Sequence, residues 1–277
     1  MATCELTGKT VLLTGATDGL GRALAADLAG RGATLLLHGR DQDRGSATLT
    51  EVAKASGSDR LSWYRADLAS LAHVRRLAEA VGRDHHRLDV LVNNAGIGSD
   101  VPGGGARQES ADGVELRFAV NYLAGFALTH LLWPQLATAP SARVVSVSSA
   151  GQAPIDFDDV MLERSYNGIQ AYCQSKLAQI MMTFDLAGGG DGDPSVVATA
   201  LHPSTYMPTK IVHSPVSTIA DGVRATSRLV WQLPPDQVDG QYFNVERPAR
   251  AHAQAYDLVS RARLRHLSEE LTKTGQH

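Results

Sequence analysis

Two polar residues four positions apart carry the clearest chemical signal in this chain, Tyr172 and Lys176. Positions four apart lie on one face of a helix. An ammonium beside a phenol favours the phenolate and lowers the tyrosine pKa from its usual value of about 10. We therefore expect Tyr172 to exchange a proton with an alcohol or ketone near neutral pH. Because the same spacing is common on ordinary surface helices, the interpretation depends on the rest of the chain.

The N-terminal segment has the pattern of a phosphate-binding turn. Residues 9–14 form an apolar run that is typical of a buried parallel strand, and residues 22–29 favour a helix. Glycines between them let the backbone approach a pyrophosphate, and the free N–H groups of a helix N-terminus favour its negative charge. The residues expected to contact a cofactor in this turn are Gly15, Thr17, Asp18, Gly19 and Leu20.

We place the second strand at residues 33–38. The residues that follow it indicate which cofactor is bound. NAD-binding folds carry an acidic residue there to hold the ribose 2′-hydroxyl, whereas this chain has Arg40. An arginine can accommodate a 2′-phosphate, so the sequence favours NADP(H) over NAD(H). Asp41 follows directly, and the alternative is that Arg40 is only a solvated loop charge.

Further strands and helices alternate along the chain. Residues 61–68 and 88–92 are predicted strands, and residues 42–56 and 70–84 are predicted helices. This order predicts one α/β domain over residues 1–277, with a Rossmann-type doubly wound parallel sheet of about seven strands and helices on both faces. Ligands bind at the carboxyl ends of such strands. The cofactor contacts expected there are Asp67, Leu68, Asn94, Ala95 and Gly96.

With these motifs in place, the chain resembles the single-domain short-chain dehydrogenase/reductase family from about Thr7 to about Leu271. The resemblance implies a catalytic set and further cofactor contacts. Ser149 closes a predicted fifth strand and matches the catalytic serine of the family, with Ser148 as the second candidate. The residues implied as catalytic are Asn121, Ser149, Tyr172 and Lys176, and those implied in addition as cofactor contacts are Tyr172, Lys176, Pro203 and Thr205.

The resemblance also implies a mechanism. Tyr172 would protonate the developing alkoxide during reduction or deprotonate the alcohol during oxidation, while Lys176 holds the nicotinamide ribose. Ser149 would hydrogen-bond the substrate oxygen, and Asn121 would hold a water between Lys176 and solvent. His202 is interpreted as a structural residue at the end of a strand, and Cys173 as a small buried apolar residue.

Local motifs are similar to the retinol-dehydrogenase-like and WW-domain-oxidoreductase-like branch of that family. Examples are residues 112–123, residues 157–159 and the segment around Tyr172. One departure is Ser204, where the family usually has glycine after Pro203; we expect altered loop geometry with cofactor binding retained. Residues 207–235 are expected to form a substrate lid with apolar walls, and residues 249–272 C-terminal helices.

Composition narrows the class of protein further. The formal net charge of −3 gives no electrostatic basis for nucleic-acid binding. Two cysteines show no metal or disulfide spacing, which predicts a cytoplasmic protein without a metal site. No hydrophobic segment precedes the first strand and no apolar run is long enough to span a bilayer, so neither secretion nor a membrane is expected. The resemblance implies a homodimer or homotetramer through the helices that bear Asn121 and Tyr172.

The leading hypothesis is therefore an NADP(H)-dependent ketoreductase or alcohol dehydrogenase that acts on a fairly apolar carbonyl or alcohol. Two alternatives remain open at this stage. The first is a non-catalytic dinucleotide-binding regulator or scaffold, and the second is a sugar-nucleotide epimerase or dehydratase. The intact catalytic set speaks against the first, and the glycine spacing with no separate substrate domain speaks against the second.

Overall fold

Parallel pairing of short, apolar strands organises the fold. The computed structural model describes residues 5–99, 106–187, 195–205, 207 and 216–273. Within these residues, eight strands form one sheet in the order β3-β2-β1-β4-β5-β6-β7-β8. The strands are β1 (Thr10–Leu13), β2 (Thr34–Gly39), β3 (Leu61–Arg65), β4 (Val90–Asn93), β5 (Ala142–Val147), β6 (Val196–His202), β7 (Gln241–Asn244) and β8 (Arg247–Pro248). All neighbours pair in parallel except β7 and β8, which pair antiparallel.

Helices connect these strands and cover both faces of the sheet. The α-helices are α1 (Gly19–Gly30), α2 (Gln42–Ser56), α3 (Leu71–Asp84), α4 (Ala124–Leu131), α5 (Trp133–Ala137), α6 (Gly168–Leu186), α7 (Ile219–Ser227), α8 (Pro235–Val238) and α9 (Leu258–Thr272). Two π-helical segments (Phe118–Leu123 and Arg228–Gln232) and one 3₁₀ segment (Ala253–Tyr256) complete the described elements. The α/β doubly wound fold is confirmed, with β8 added to the predicted set of strands.

Alternating side chains divide the core into two apolar layers. Leu12 and Leu36 face the layer under α3, α4 and α6. Their neighbours Val11 and Leu35 face the layer under α1, α2 and α7. Because both faces of each central strand are buried, these strands are almost continuously apolar, as parallel sheets require.

Helix α9 covers the surface shared by the first π-helix, α4 and α6. The Tyr122 hydroxyl lies 2.7 Å from the Ser268 hydroxyl, and both residues are buried. Leu264 is buried in the same contact, and Arg261 pairs with Asp185 at 3.4 Å. This is the surface through which the sequence predicted self-association. Because α9 of the same chain occupies it, an interface there would require α9 to leave.

The predicted lid and tail are described in part. Residues 206 and 208–215 lie outside the described residues, while the rest of residues 207–235 contain α7, the second π-helix and α8. Residues 249–272 contain the 3₁₀ segment and α9, where the tail was expected to be helical. Among the described residues, no helix has the length and apolar character needed to cross a membrane.

Candidate active site

Close backbone packing at the first turn explains its glycines. Gly15 adopts a φ of +68°, and a Cβ on it would stand 2.8 Å from the Cα of Ala95. A Cβ on Gly21 would stand 2.1 Å from the carbonyl oxygen of Gly15. Any larger residue at either position would displace backbone, and Gly15 would also be strained. The turn is therefore tightly packed, and without side chains at these glycines a dinucleotide phosphate can approach its backbone.

The start of α1 differs from a bare helix N-terminus. The Asp18 carboxylate caps α1 by accepting the Gly19 N–H at 2.8 Å, and it pairs with Arg44 at 3.0 Å. Arg44 also donates to the Thr17 carbonyl at 3.1 Å, which links this turn to α2. Leu20 is buried in the apolar layer. Of the residues predicted here, Asp18 therefore uses its side chain within the protein, which leaves its backbone as the available cofactor contact.

His38 is a site residue that the sequence reasoning missed. Its Nδ1 accepts the Gly15 N–H at 3.3 Å, and its Nε2 lies 3.2 Å from the Ala66 carbonyl oxygen. These contacts require the neutral ring, with the proton on Nε2. Burial lowers the pKa of His38 to about 4, so the ring is neutral near pH 7. His38 thus links the cofactor turn to the end of β3. The only sign of this role in the sequence was a polar residue at the end of an otherwise apolar strand.

The residues after β4 hold the turn from the other side. The Asn94 amide donates to the carbonyls of Thr14 and Gly15 at 2.8 and 3.2 Å. In return, the Thr14 hydroxyl accepts the N–H groups of Asn94 and Ala95 at 2.9 and 3.0 Å. Gly96 follows directly and is exposed. The Asn94-Ala95-Gly96 motif thus lies against the glycine turn, as the sequence placed it.

An arginine-rich cavity lies at the carboxyl ends of β2 and β3. It has a volume of about 460 Å³ and is lined by Arg40, Arg65, Ala66, Asp67, His73 and Arg76. The Arg65 guanidinium donates to the Arg40 carbonyl at 3.2 Å, which draws the two side chains to the same corner. Asp67 accepts the Ala69 N–H at 3.0 Å, and Leu68 is buried beside it.

Asp41, which could have replaced Arg40 as a ribose ligand, has a structural role. Its carboxylate caps α2 by accepting the Arg44 N–H at 3.0 Å. This hydrogen bond, ahead of the charges of Arg44 and Arg65, lowers the pKa of Asp41. Arg40 itself is exposed at the rim of the cavity.

Asn121 lies in the first π-helix and joins two walls of the site. Its Oδ1 accepts the Ile97 N–H at 2.8 Å, and its Nδ2 donates to the Ile97 carbonyl at 3.1 Å and to the Ser175 hydroxyl at 2.9 Å. A π-helical turn shifts side chains out of the regular helical register and is frequent at functional sites. The Asn121 amide therefore clamps the loop after β4 to α6, and the water between Lys176 and solvent stays a prediction.

Ser149, Tyr172 and Lys176 meet where β5 and α6 approach each other. Ser149 lies two residues beyond the end of β5, so the prediction that it closes the strand was wrong by two residues. Its Oγ accepts the Gly151 N–H at 3.0 Å, and a Cβ on Gly151 would stand 3.5 Å from that Oγ and 3.9 Å from the Tyr172 ring. The Lys176 ammonium lies 5.7 Å from the centre of the Tyr172 ring. Ser148, the second candidate, is buried and donates to the Lys176 carbonyl at 2.7 Å.

The electrostatics of this group differ from the prediction. Burial raises the pKa of Tyr172, and the hydrogen bond with Ser149 lowers it in part. Burial lowers the pKa of Lys176 to about 7. The Lys176 ammonium donates to the Val147 carbonyl and to the Gln179 side-chain oxygen, each at 3.0 Å. Desolvation therefore outweighs the attraction between ammonium and phenolate that was expected to lower the Tyr172 pKa.

The loop after β6 supplies the remaining predicted contacts. Pro203 and Ser204 are buried, and Thr205 is exposed. The non-glycine residues with positive φ within the described part of the chain are Leu162, Val245 and Lys273. Ser204 therefore keeps a backbone conformation open to any residue.

His202, at the end of β6, faces this loop. Its Nε2 lies 3.0 Å from the Thr205 hydroxyl. Burial, followed by the charge of Lys176, lowers the pKa of His202. The ring is therefore neutral near pH 7 and is placed to orient Thr205 as well as to close the strand.

These features define a dinucleotide site next to a tyrosine–lysine pair, and comparison with known proteins agrees. The family model described as short chain dehydrogenase matches residues 9–214. The chain belongs to this family of hydride-transfer oxidoreductases, which bind a nicotinamide dinucleotide and act on small molecules. The predicted family and its retinol-dehydrogenase-like branch are confirmed.

Individual relatives support the same branch. The chain is 35% identical to human retinol dehydrogenase 11 over 215 residues, which cover 77% of this chain and 66% of that protein. It is 37% identical to human retinol dehydrogenase 13 over 199 residues, covering 71% of this chain and 58% of that protein. The matches thus span less than two thirds of both relatives. Human retinol dehydrogenase 14 is 34% identical, and 78% of its length is covered.

Solved structures share the fold. A protein of unknown function from Mycobacterium Paratuberculosis superposes with a TM-score of 0.80 at 33% identity, covering 96% of this chain and 94% of that one. A short-chain dehydrogenase from Shigella flexneri, solved with NADP, gives a TM-score of 0.71 at 23% identity. The superposition covers 88% of this chain and 100% of the Shigella chain. At that identity the second similarity establishes the fold alone.

The prediction of a cytoplasmic location was wrong. It was based on cysteine usage and on the N-terminal residues of the given chain. The relatives are retinol dehydrogenases, enzymes named for an alcohol that dissolves in lipid rather than in water. Cysteine content reports the redox environment alone and therefore says nothing about association with lipid.

Proposed function

We propose that this protein is an NADP(H)-dependent oxidoreductase that transfers a hydride between nicotinamide and a carbonyl or alcohol, with Tyr172 as proton donor or acceptor. The observation that carries the proposal is the grouping of Ser149, Tyr172 and Lys176, in which the Ser149 side chain lies near the Tyr172 phenol and the Lys176 ammonium lies beside its ring. This group lies at the carboxyl edge of the sheet, where ligands of doubly wound folds bind.

The backbone around the first turn fits a dinucleotide. A Cβ on Gly21 would fill the space against Gly15, and the turn leads directly into the N-terminus of α1. Backbone N–H groups at that terminus favour phosphate. A bound nicotinamide supplies or accepts the hydride. Lys176 would hold the ribose, and the backbone of Pro203 with the Thr205 hydroxyl would hold the carboxamide.

Proton transfer falls to Tyr172. Its raised pKa keeps the phenol protonated near pH 7, which suits the donor role during reduction of a carbonyl. Ser149 hydrogen-bonds the substrate oxygen as negative charge builds on it. For oxidation the phenol must first lose its proton, and the Lys176 ammonium stabilises the phenolate in that direction. Asn121 fixes the loop and helix between which these groups stand.

The preference for NADP(H) rests on charge. Three arginines and one carboxylate line the cavity at the ends of β2 and β3, which gives it a net positive charge. Arg40 is exposed at its rim, and Asp41 is engaged as the cap of α2. A 2′-phosphate in this corner would gain charge-assisted hydrogen bonds, whereas a 2′-hydroxyl would leave the arginines without an anion.

The substrate class follows from the relatives. The names of the human relatives specify retinol, an apolar primary alcohol, as a substrate of those enzymes. An apolar alcohol or its carbonyl counterpart is therefore proposed here.

Calorimetric titration with NADPH and NADH tests the proposal first. We expect NADPH to bind more tightly, and Arg40→Gln to weaken NADPH binding about 10- to 100-fold, since a hydrogen bond to a charged group contributes about 1.5–3 kcal/mol. NADH binding should change little. Arg83→Gln is the matched control, because Arg83 lies at the far end of α3 and pairs with Asp84.

A panel of carbonyls and alcohols that includes retinal and retinol is then followed at the nicotinamide absorbance. Turnover of any member supports the oxidoreductase. Cofactor binding without turnover of any member would instead favour the non-catalytic dinucleotide-binding alternative.

A further inference from the structure

The amide side chain of Gln179 contacts the ammonium of Lys176. Gln179 has no role in the hydride and proton transfer described so far. Gln179 lies one helical turn after Lys176 on α6, and only 2% of it is exposed. Its Oε1 accepts a hydrogen bond from the Lys176 ammonium at 3.0 Å. A buried amide that faces a buried cation is a costly arrangement unless the contact stabilises the charge.

The surroundings of Lys176 make this contact important. Lys176 is 5% exposed, and burial alone accounts for the fall of its pKa to about 7. Among the residues that the structure describes, its titratable neighbours are Tyr172 on α6 and His202 on β6. Burial raises the first pKa and lowers the second, so both groups are neutral near pH 7. The charge therefore depends on two neutral acceptors, the Val147 carbonyl and the Gln179 amide oxygen.

We infer that Gln179 is a positioning residue, which fixes the Lys176 ammonium and keeps it protonated in the site. An ammonium has three N–H donors. The contacts with Val147 and Gln179 use two of them and leave one for a ligand. Gly96 stands beside this group, since a Cβ on it would lie 3.5 Å from the Lys176 nitrogen. The inference rests on the proposed function, because it refines how Lys176 serves the same site.

Titration of Lys176 itself provides the test. The chain contains only five lysines, so ¹³C-labelled lysine in the full-length protein gives few NMR signals, and Lys176→Ala assigns the one in question. Gln179→Met keeps the volume and removes the acceptor. We expect it to lower the Lys176 pKa by about one pH unit, because hydrogen bonds to charged groups are among the stronger ones. Gln179→Glu supplies a carboxylate and should raise the same pKa.

Gln174 provides a matched control on the same helix. It is also a fully buried amide, but its side-chain nitrogen donates to the Val160 carbonyl at 2.7 Å rather than facing the Lys176 ammonium. Gln174→Met should leave the Lys176 pKa within about 0.2 pH units of wild type, whatever it does to stability.

The two outcomes for Gln179 are distinct. Opposite shifts in Gln179→Met and Gln179→Glu support the inference. A Lys176 titration that stays at the wild-type value in both variants overturns it. If Gln179→Met fails to fold, Gln179→Glu alone decides through the presence or absence of an upward shift.

Failure of the proposed function would appear separately, as absence of NADPH binding and turnover in the wild-type protein. The Lys176 titration needs neither cofactor nor substrate and would still report on Gln179. In a wild type that does bind NADPH, Gln179→Met should weaken that binding more near pH 7 than at pH 5, since the lowered Lys176 pKa leaves less of the protonated side chain to hold the ribose near pH 7.

Discussion

Replacement of Asn121 by leucine tests whether the amide clamps the site as the structure indicates. The side chain is 2% exposed and makes three hydrogen bonds, two with the Ile97 backbone and one with Ser175. Leucine has a similar shape but cannot form any of them. The change leaves a backbone N–H, a carbonyl and a hydroxyl with fewer partners in a buried region.

The magnitude follows from those three bonds. At about 1 kcal/mol each, and more where a buried group is left unpaired, the free energy of unfolding should fall by about 3 kcal/mol. For a protein of this size that corresponds to a melting temperature lower by roughly 6–12 °C. Because the loop after β4 is released from α6, NADPH binding should weaken as well.

Asn93→Leu is the matched control. Asn93 is 4% exposed, and its amide donates one hydrogen bond to Thr129 at 3.2 Å, while its Oδ1 has no partner. Its replacement should cost at most about 1 kcal/mol, since it also removes an unsatisfied oxygen. Urea unfolding followed by tryptophan fluorescence measures both variants. Equal losses in Asn121→Leu and Asn93→Leu would refute the reasoning.

Three further predictions concern the cofactor turn and the surface of the fold. The folded-state pKa of His38 lies below its ordinary value, so its stabilising contribution is present above pH 6.5 and is lost as pH falls toward about 4. That contribution is roughly 3 kcal/mol, so urea unfolding of wild type and His38→Gln should converge between pH 7.5 and pH 4; parallel profiles would contradict this. Gly21→Ala should abolish NADPH binding in calorimetry, because its Cβ would stand 2.1 Å from the Gly15 oxygen. Wild-type affinity in this variant would mean that the backbone of the turn can move to accept the methyl group. Because α9 covers the helices that bear Asn121 and Tyr172, light scattering should find a monomer; a dimer would mean that another surface associates or that α9 moves.

Much of the fold follows from local pattern. The second helix was predicted at residues 42–56 and is observed at Gln42–Ser56, because Asp41 caps its start and Gly57, at a φ of +68°, ends it. Continuous apolar runs identified the parallel strands, since both of their faces are buried. The predicted fifth strand ended two residues too late. Its alternating serines continue the strand pattern as far as Ser149, whereas the observed strand ends at Val147.

Within the site, spacing found the residues but their environments stayed hidden. Tyr172 and Lys176 were correctly placed on one helix, whereas the direction of the Tyr172 pKa depends on burial by distant segments. His38 was missed because its partner Gly15 lies 23 residues away in the sequence. Gln179 was missed because a spacing of one helical turn from Lys176 is common on any helix. The docking of α9 over Tyr122 likewise depends on contacts between residues 146 positions apart.

Turnover by Tyr172→Phe, measured beside NADPH binding, tests the central claim most directly. The wild type is assayed by nicotinamide absorbance with the best carbonyl from the panel, and binding of NADPH to both proteins is measured by calorimetry. We expect a loss of turnover of about 10²-fold or more, because general acid catalysis contributes about 10²–10⁴-fold, with NADPH affinity unchanged within about twofold. Turnover at the wild-type rate in Tyr172→Phe would contradict it.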